Sequence, residues 1–96
     1  MNYVYEENKI YSKNEDGLLL GEVTFPARDE KRVNIDHVYV DMSLRGQGIA
    51  SDLMLMAYEY IKEKGLLIIA KCPYAISWFK KHEEYQDIVI NVKTKR

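Results

Sequence analysis

The chain has 96 residues, 47% of them hydrophobic, and its 14 basic and 15 acidic residues leave a formal net charge of −1. A chain of this length builds one core, so we expect a single domain over residues 1–96. The balanced charge excludes a strong electrostatic bias towards nucleic acid or membrane surfaces. We find neither an apolar run long enough to span a bilayer nor a signal-peptide pattern. The one cysteine, Cys72, cannot form an internal disulfide, which predicts a reducing, cytoplasmic setting.

The first forty residues predict an antiparallel meander of three strands. Strand-forming residues alternate with polar ones over residues 3–11 and again over 18–25, with a turn signal at 14–17 between them. A polar connection then leads to a third strand at residues 32–40. Connections this short favour antiparallel pairing.

Beyond residue 48 the hydrophobic period changes from two to about 3.6. Ile49, Leu53, Met56 and Tyr60 recur at helical spacing, which predicts the core-facing stripe of a long helix that ends before Gly65. Downstream we predict a buried strand at residues 66–70, a short helix at 75–82 and a final strand at 86–92.

The most informative stretch lies between the third strand and the long helix, at residues 45–50 (Arg-Gly-Gln-Gly-Ile-Ala). Free N–H groups and the helix dipole bind anions at a helix start, and Gly46 and Gly48 allow a ligand to approach the main chain closely. A Walker loop is excluded because no Gly-Lys-Ser/Thr end is present. A dinucleotide fingerprint fits poorly, since Ser51 stands at the third glycine and the following strand ends without an acidic residue.

The pattern Arg45-x-x-Gly48-x-Ala50 resembles the Gln/Arg-x-x-Gly-x-Gly/Ala loop of the GNAT superfamily of N-acetyltransferases. Residues 75–82 are similar to that family's Ala-x-x-Phe-Tyr helix, and the resemblance covers about residues 33–85. It implies an α/β (α+β) fold: a mixed, mostly antiparallel sheet of about five strands. A parallel, splayed pair in that sheet is joined by one long helix, and a short helix follows near the C-terminus.

The resemblance also implies acetyl-coenzyme A as the cofactor, entering the splay between the third and fourth predicted strands. Loop amides would hold its pyrophosphate, and strand backbone would pair with its pantetheine arm and polarise the thioester carbonyl. Tyr74 would line the arm or the acceptor entrance. The predicted cofactor-binding residues are Val38, Tyr39, Val40, Arg45, Gly46, Gln47, Gly48, Ile49, Ala50 and Tyr74.

The chain departs from ordinary members of the family at its catalytic positions. Two helices that usually shape the acceptor site are absent, Phe79 stands where a general-acid tyrosine is expected, and the third strand carries no glutamate. These departures resemble a minimal branch of very small members, which carry a histidine on the third strand and Cys-Pro-Tyr after the fourth. His37 and Cys72 are the matching candidates here.

Each catalytic candidate has a competing structural interpretation. A thiol at Cys72 can accept an acetyl group by thioester exchange, but a lone cysteine is also a small buried apolar residue. His37 can act as the base for an incoming amine or activate Cys72, or it can be a half-exposed strand residue.

The predicted function is acetyl transfer from acetyl-coenzyme A to an unidentified amine of a small molecule or protein, directly or through Cys72. Because the glutamate and tyrosine are missing, a non-catalytic acyl-coenzyme A binding or sensing module is the alternative. A domain that binds a partner through an exposed sheet face is a third. We expect no nucleic-acid partner, no membrane partner and no metal, and a monomer or weak dimer.

Overall fold

A computed structural model describes residues 1–93 of the chain. The described residues form strands and α-helices joined by short loops and two 3-10 turns, Met42–Leu44 and Glu83–Tyr85. None of the helices among them combines the length and apolar character needed to cross a bilayer. The strands are β1 (Val4–Glu6), β2 (Lys9–Lys13), β3 (Leu19–Thr24), β4 (Arg32–Ile35), β5 (His37–Val40) and β6 (Leu67–Ala70), and the helices are α1 (Ile49–Glu63) and α2 (Pro73–Lys81).

The predicted mixed sheet is confirmed. An antiparallel sheet runs in the order β1-β2-β3-β5, while β4 pairs in parallel with β6, and α1 lies between the two parallel strands along the chain. The predicted first strand is instead a hairpin, because the chain turns at Glu7 and Asn8. The Asn8 carbonyl accepts a hydrogen bond from the Phe25 N–H at 2.8 Å, which joins this turn to the end of β3. Asparagine favours such turns.

The predicted third strand divides at Asp36. Before it, β4 pairs with β6, and the Ile35 carbonyl accepts from the N–H groups of Lys71 (2.9 Å) and Cys72 (3.2 Å). After it, β5 pairs with β3. The Asp36 carboxylate accepts a 2.5 Å hydrogen bond from the Thr24 hydroxyl, so a polar side chain anchors the point of divergence. The two parts of one extended segment therefore belong to different pairs, and this opens the predicted splay.

The prediction of a final strand at residues 86–92 is wrong, because the structure has no strand there. This segment makes a single parallel bridge, between Ile68 and Val89. In that bridge the Ile68 N–H donates to the Ile88 carbonyl, and the Ile68 carbonyl accepts from the Ile90 N–H. The Asn91 side chain then takes over the pairing: its amide accepts from the N–H of Ala70 at 2.9 Å and donates to the Ala70 carbonyl at 2.7 Å. Because a side chain satisfies the edge of β6 there, no further backbone ladder is needed.

Helix α1 packs closely against β3, which places its N-terminus beside the splay. A Cβ atom at Gly21 would lie 3.3 Å from Leu53 Cδ1 and 3.6 Å from Ile49 Cγ2, so the absence of a side chain at Gly21 lets the helix approach the strand closely. Ile49 and Leu53 of the predicted stripe are buried, whereas Met56 and Tyr60 are partly buried. The remaining fully or largely buried positions of the helix are Met54, Ala57, Tyr58 and Ile61.

Candidate active site

The glycine-rich loop is built by a short turn on one side and an unusual helix start on the other. The Asp41 carboxylate accepts hydrogen bonds from the backbone N–H and hydroxyl of Ser43, and this caps the 3-10 turn that precedes the loop. Gly46 (φ 84°) and Gly48 (φ 78°) then adopt left-handed conformations, which glycine reaches without the strain of a Cβ atom. Beyond each glycine and its two chain neighbours, no atom of residues 1–93 lies within 4 Å of the position that a Cβ would take at either glycine. The loop thus exposes its main chain.

The start of α1 leaves its backbone donors open. Gly48 is the N-cap residue and makes no side-chain capping bond. Its carbonyl accepts from the Asp52 N–H at 3.0 Å, as the first helical bond requires. Within residues 1–93, no carbonyl or side chain accepts from the N–H groups of residues 46–51. Unsatisfied donors at a helix N-terminus, with the positive end of the helix dipole behind them, form an anion-binding surface.

These donors border a cavity of about 240 Å³ at the mouth of the splay. Two other cavities, of about 630 and 280 Å³, lie beside the first residues of β4 and beside the C-terminal half of α1, away from the loop. The smallest of the three is nevertheless the one at which backbone donors converge. Its lining residues are Val40, Leu44, Arg45, Gly46, Gly48, Ile49, Ala50, Ser51 and Tyr74.

Strand β5 presents to the same cavity an edge that no other strand covers. It is the last strand of the four-stranded sheet, and within residues 1–93 it pairs with a strand on one side only. The Asp41 N–H donates to the Leu20 carbonyl at 2.8 Å, and by the alternation of an antiparallel ladder the backbone groups of Tyr39 also face β3. Those of Val38 and Val40 then face away from β3, into the splay. The Val40 carbonyl there accepts a hydrogen bond from Arg45 Nε at 3.3 Å.

The structure places His37 on the sheet face that α1 does not cover. Val38 and Val40 lie opposite Val23 and Gly21 on the helix-facing side, so His37 and Tyr39 project from the other side. His37 is exposed; its Nε2 is 3.7 Å from a Glu22 carboxylate oxygen, and its ring stacks parallel to that of Tyr39 at 6.5 Å. The imidazole is thus open to solvent.

Cys72 lies at the other wall of the splay. It is the N-cap residue of α2, its Sγ accepts from the Ala75 N–H at 3.4 Å, and its half-buried side chain packs against the hydrophobic core. Burial raises the pKa of the nearby Tyr74 hydroxyl, and the Cys72 thiol adds to that effect. Within the described chain no hydrogen bond joins Cys72 to His37. Cys72 and Tyr74 therefore lie close together at the start of α2.

Sequence reasoning missed a side-chain contact at the loop. Ser51 counted only as a departure from the dinucleotide pattern, yet it lines the cavity, and its Oγ accepts a 2.7 Å hydrogen bond from Trp78 Nε1. Trp78 is held in turn by stacking on His82, whose Nδ1 is 2.7 Å from the Trp78 carbonyl oxygen. Phe79, in contrast, is fully buried and packs edge-on against Trp78. Since the Ser51 oxygen accepts from the indole, its own proton is free to donate into the cavity.

No metal site competes for this role: residues 1–93 contain no group of three His, Cys, Asp or Glu side chains able to hold a metal ion. The site instead combines backbone donors, one arginine and an open strand edge. This set of groups suits a diphosphate followed by a peptide-like arm.

Comparison with known proteins agrees with this geometry. A GCN5-like protein from Staphylococcus aureus, solved by NMR, superposes with a TM-score of 0.80 at 32% identity, over 99% of this chain and 93% of that one. An acetyltransferase from Bacillus cereus gives 0.62 at 34% identity, over 80% of this chain and 56% of its own length. A GNAT family N-acetyltransferase from Escherichia coli, in complex with CoA, shares the fold at 24% identity and a TM-score of 0.56, over 65% of this chain and 38% of its own. No curated protein matches the chain.

The family model for GCN5-related N-acetyl-transferases matches residues 9–88. This range includes strands β2 to β6, the glycine-rich loop, both α-helices and the splay between β5 and β6. The chain therefore belongs to the GCN5-related N-acetyltransferase (GNAT) family.

Proposed function

We propose that this protein transfers an acetyl group from acetyl-coenzyme A to an amine. The observation that carries the proposal is the run of unoccupied N–H groups at residues 46–51, which faces a cavity beside the open edge of β5. The E. coli relative of the same fold was solved with CoA bound. Members of the GNAT family are acyltransferases, so a donor of this class is the natural ligand for such a cleft.

The residues at the cleft suit successive parts of acetyl-coenzyme A. The N–H groups of the loop and the Arg45 guanidinium would hold the diphosphate, since both are donors to anionic oxygens. The amides of the pantetheine arm would pair with the splay-facing backbone of Val38 and Val40, much as an added strand does. The Val38 N–H would then polarise the thioester carbonyl. Tyr74 would flank the arm.

Two routes to the product balance chemically. In the direct route the amine nitrogen attacks the thioester carbonyl carbon, the C–S bond breaks, and the thiol leaves with a proton from the amine as the amide forms. In the covalent route the Cys72 sulfur attacks first, the bond to the coenzyme A sulfur breaks, and coenzyme A leaves as the thiol with the Cys72 proton. The amine nitrogen then attacks the acetyl thioester on Cys72, its C–S bond breaks, and an amine proton returns to the Cys72 sulfur as the amide forms. The half-buried thiol at the wall of the splay supports the second route, and among the described residues the imidazole of His37 contacts Glu22 and Tyr39.

The first experiment measures binding of coenzyme A and acetyl-coenzyme A by calorimetry. The proposal requires binding of both, and no binding at millimolar cofactor rejects the proposed function together with the acyl-coenzyme A sensing alternative. A screen of amines and peptides with free-thiol detection then separates these two. Thiol release that depends on an acceptor supports the enzyme, and binding without turnover across the screen supports the sensing module.

The second experiment distinguishes the routes by intact mass after incubation with acetyl-coenzyme A. An acetyl adduct that is absent from Cys72→Ser supports the covalent route. Undiminished transfer by Cys72→Ser, measured with the same acceptor, removes the thiol from the mechanism. Because Cys72 is the one cysteine in the chain, this variant has no protein thiol and also serves as the background control for free-thiol detection.

A further inference from the structure

The Arg45 side chain occupies the strand edge at which the cofactor arm is proposed to bind. Its Nε donates to the Val40 carbonyl at 3.3 Å, and Val40 is one of the two β5 residues whose backbone faces the splay. An extended, peptide-like molecule that approached β5 from the cavity would therefore meet the guanidinium first. The arginine and the arm require the same edge position.

The same arginine also lies at the phosphate end of the cavity. It lines the cavity together with Gly46 and Gly48, and its charge is one of the smaller contributions, after two Ser43 hydrogen bonds, that lower the pKa of Asp41. Its backbone N–H is bonded to the Met42 carbonyl at 3.4 Å, so the guanidinium can leave Val40 by side-chain rotation without moving the loop. An anion at the loop would draw it away.

We propose that Arg45 determines specificity for acyl carriers that bear a diphosphate. In the free protein it covers the Val40 carbonyl and disfavours a bare pantetheine thioester. A diphosphate at the loop offers charged acceptors, which bind a guanidinium more strongly than one neutral carbonyl does. The guanidinium moves to the phosphate, and the Val40 carbonyl becomes free for an amide N–H of the arm. This inference rests on the proposed function, because it takes the arm to lie along β5.

The test compares wild type with Arg45→Ala, using coenzyme A and phosphate-free pantetheine as probes in NMR titrations. The two probes should respond in opposite directions. Arg45→Ala removes the charge-assisted contact with the diphosphate, which should weaken coenzyme A binding about tenfold or more. It also removes the hydrogen bond to the Val40 carbonyl that competes with the arm, which should strengthen pantetheine binding about threefold. Arg28→Ala removes the same charge from the loop between β3 and β4, outside the cavity lining, and should change neither affinity.

Pantetheine binding that weakens or stays unchanged in Arg45→Ala overturns the inference, since the arginine would then assist the arm or ignore it. A measurement without ligand separates this failure from failure of the proposed function. The Asp41 amide nitrogen belongs to the peptide unit of the Val40 carbonyl, so its ¹⁵N shift should change in free Arg45→Ala and not in free Arg28→Ala. An unchanged Asp41 shift rejects the contact whether or not the protein binds coenzyme A. Absence of coenzyme A binding to wild type rejects the proposed function and, with it, the specificity role.

Discussion

A methyl group added at Gly48 tests whether the loop binds its ligand through exposed main chain. Gly48 has φ 78°, and a left-handed conformation costs a residue with a Cβ atom about 1–2 kcal/mol. Gly17, in the turn before β3, has φ 83° and equally open surroundings, so Gly17→Ala has the same backbone cost at a position that is not among the residues lining the cavity. We expect the two variants to lose similar stability, about 4–8 °C in Tm for each kcal/mol.

Their coenzyme A affinities should differ. Gly48 lines the cavity, and beyond its chain neighbours no atom of residues 1–93 lies within 4 Å of the position that the added methyl group would take. The proposed diphosphate needs that space. We expect calorimetry to show at least a tenfold loss for Gly48→Ala, about 1.4 kcal/mol, and wild-type affinity for Gly17→Ala. Equal affinity in the two variants, with equal losses in Tm, would refute the idea that the ligand closely approaches the main chain at Gly48.

Three further predictions follow from side-chain contacts. Phe79→Tyr places a hydroxyl in a fully buried site, so we expect its free energy of unfolding by chemical denaturation to fall by about 1–3 kcal/mol. We expect no gain in acetyl transfer, and a faster variant would show that residue 79 reaches the cleft. Trp78 is the one tryptophan and donates to Ser51 in the cavity lining, so its emission should change when coenzyme A is added to wild type and should stay constant if the loop is not the binding site. Hydrogen bonds from Lys62 and the Tyr58 hydroxyl lower the pKa of the Asp87 carboxyl below its ordinary 3.8. The charged carboxylate therefore stabilises the fold at neutral pH, and that contribution disappears as pH falls below about 4. Asp87→Asn should be less stable than wild type at pH 7 by thermal unfolding, and a stability difference that persists at pH 2 would contradict this.

The sequence by itself determined the features that depend on local chemistry. Gly48 and Gly65 begin and end α1 because left-handed backbone favours glycine, and the hydrophobic period between them predicts the helix and its buried Leu53. The glycine-rich loop was predicted for the same reason, since open donors at a helix start follow from the helix alone. The mixed sheet and its parallel pair were predicted from the resemblance of the loop and its flanking segments to the GNAT family.

Only the tertiary structure decided which distant groups meet. The parting of β4 from β5 at Asp36 depends on two different partner strands, and no local pattern in residues 32–40 distinguishes them. The contact of Trp78 with Ser51 joins residues far apart along the chain, and the bond from Arg45 to Val40 forms because β5 lacks a second neighbour. Strand register sets the face from which each side chain projects, and register arises from pairing between strands, so one strand's sequence does not contain it.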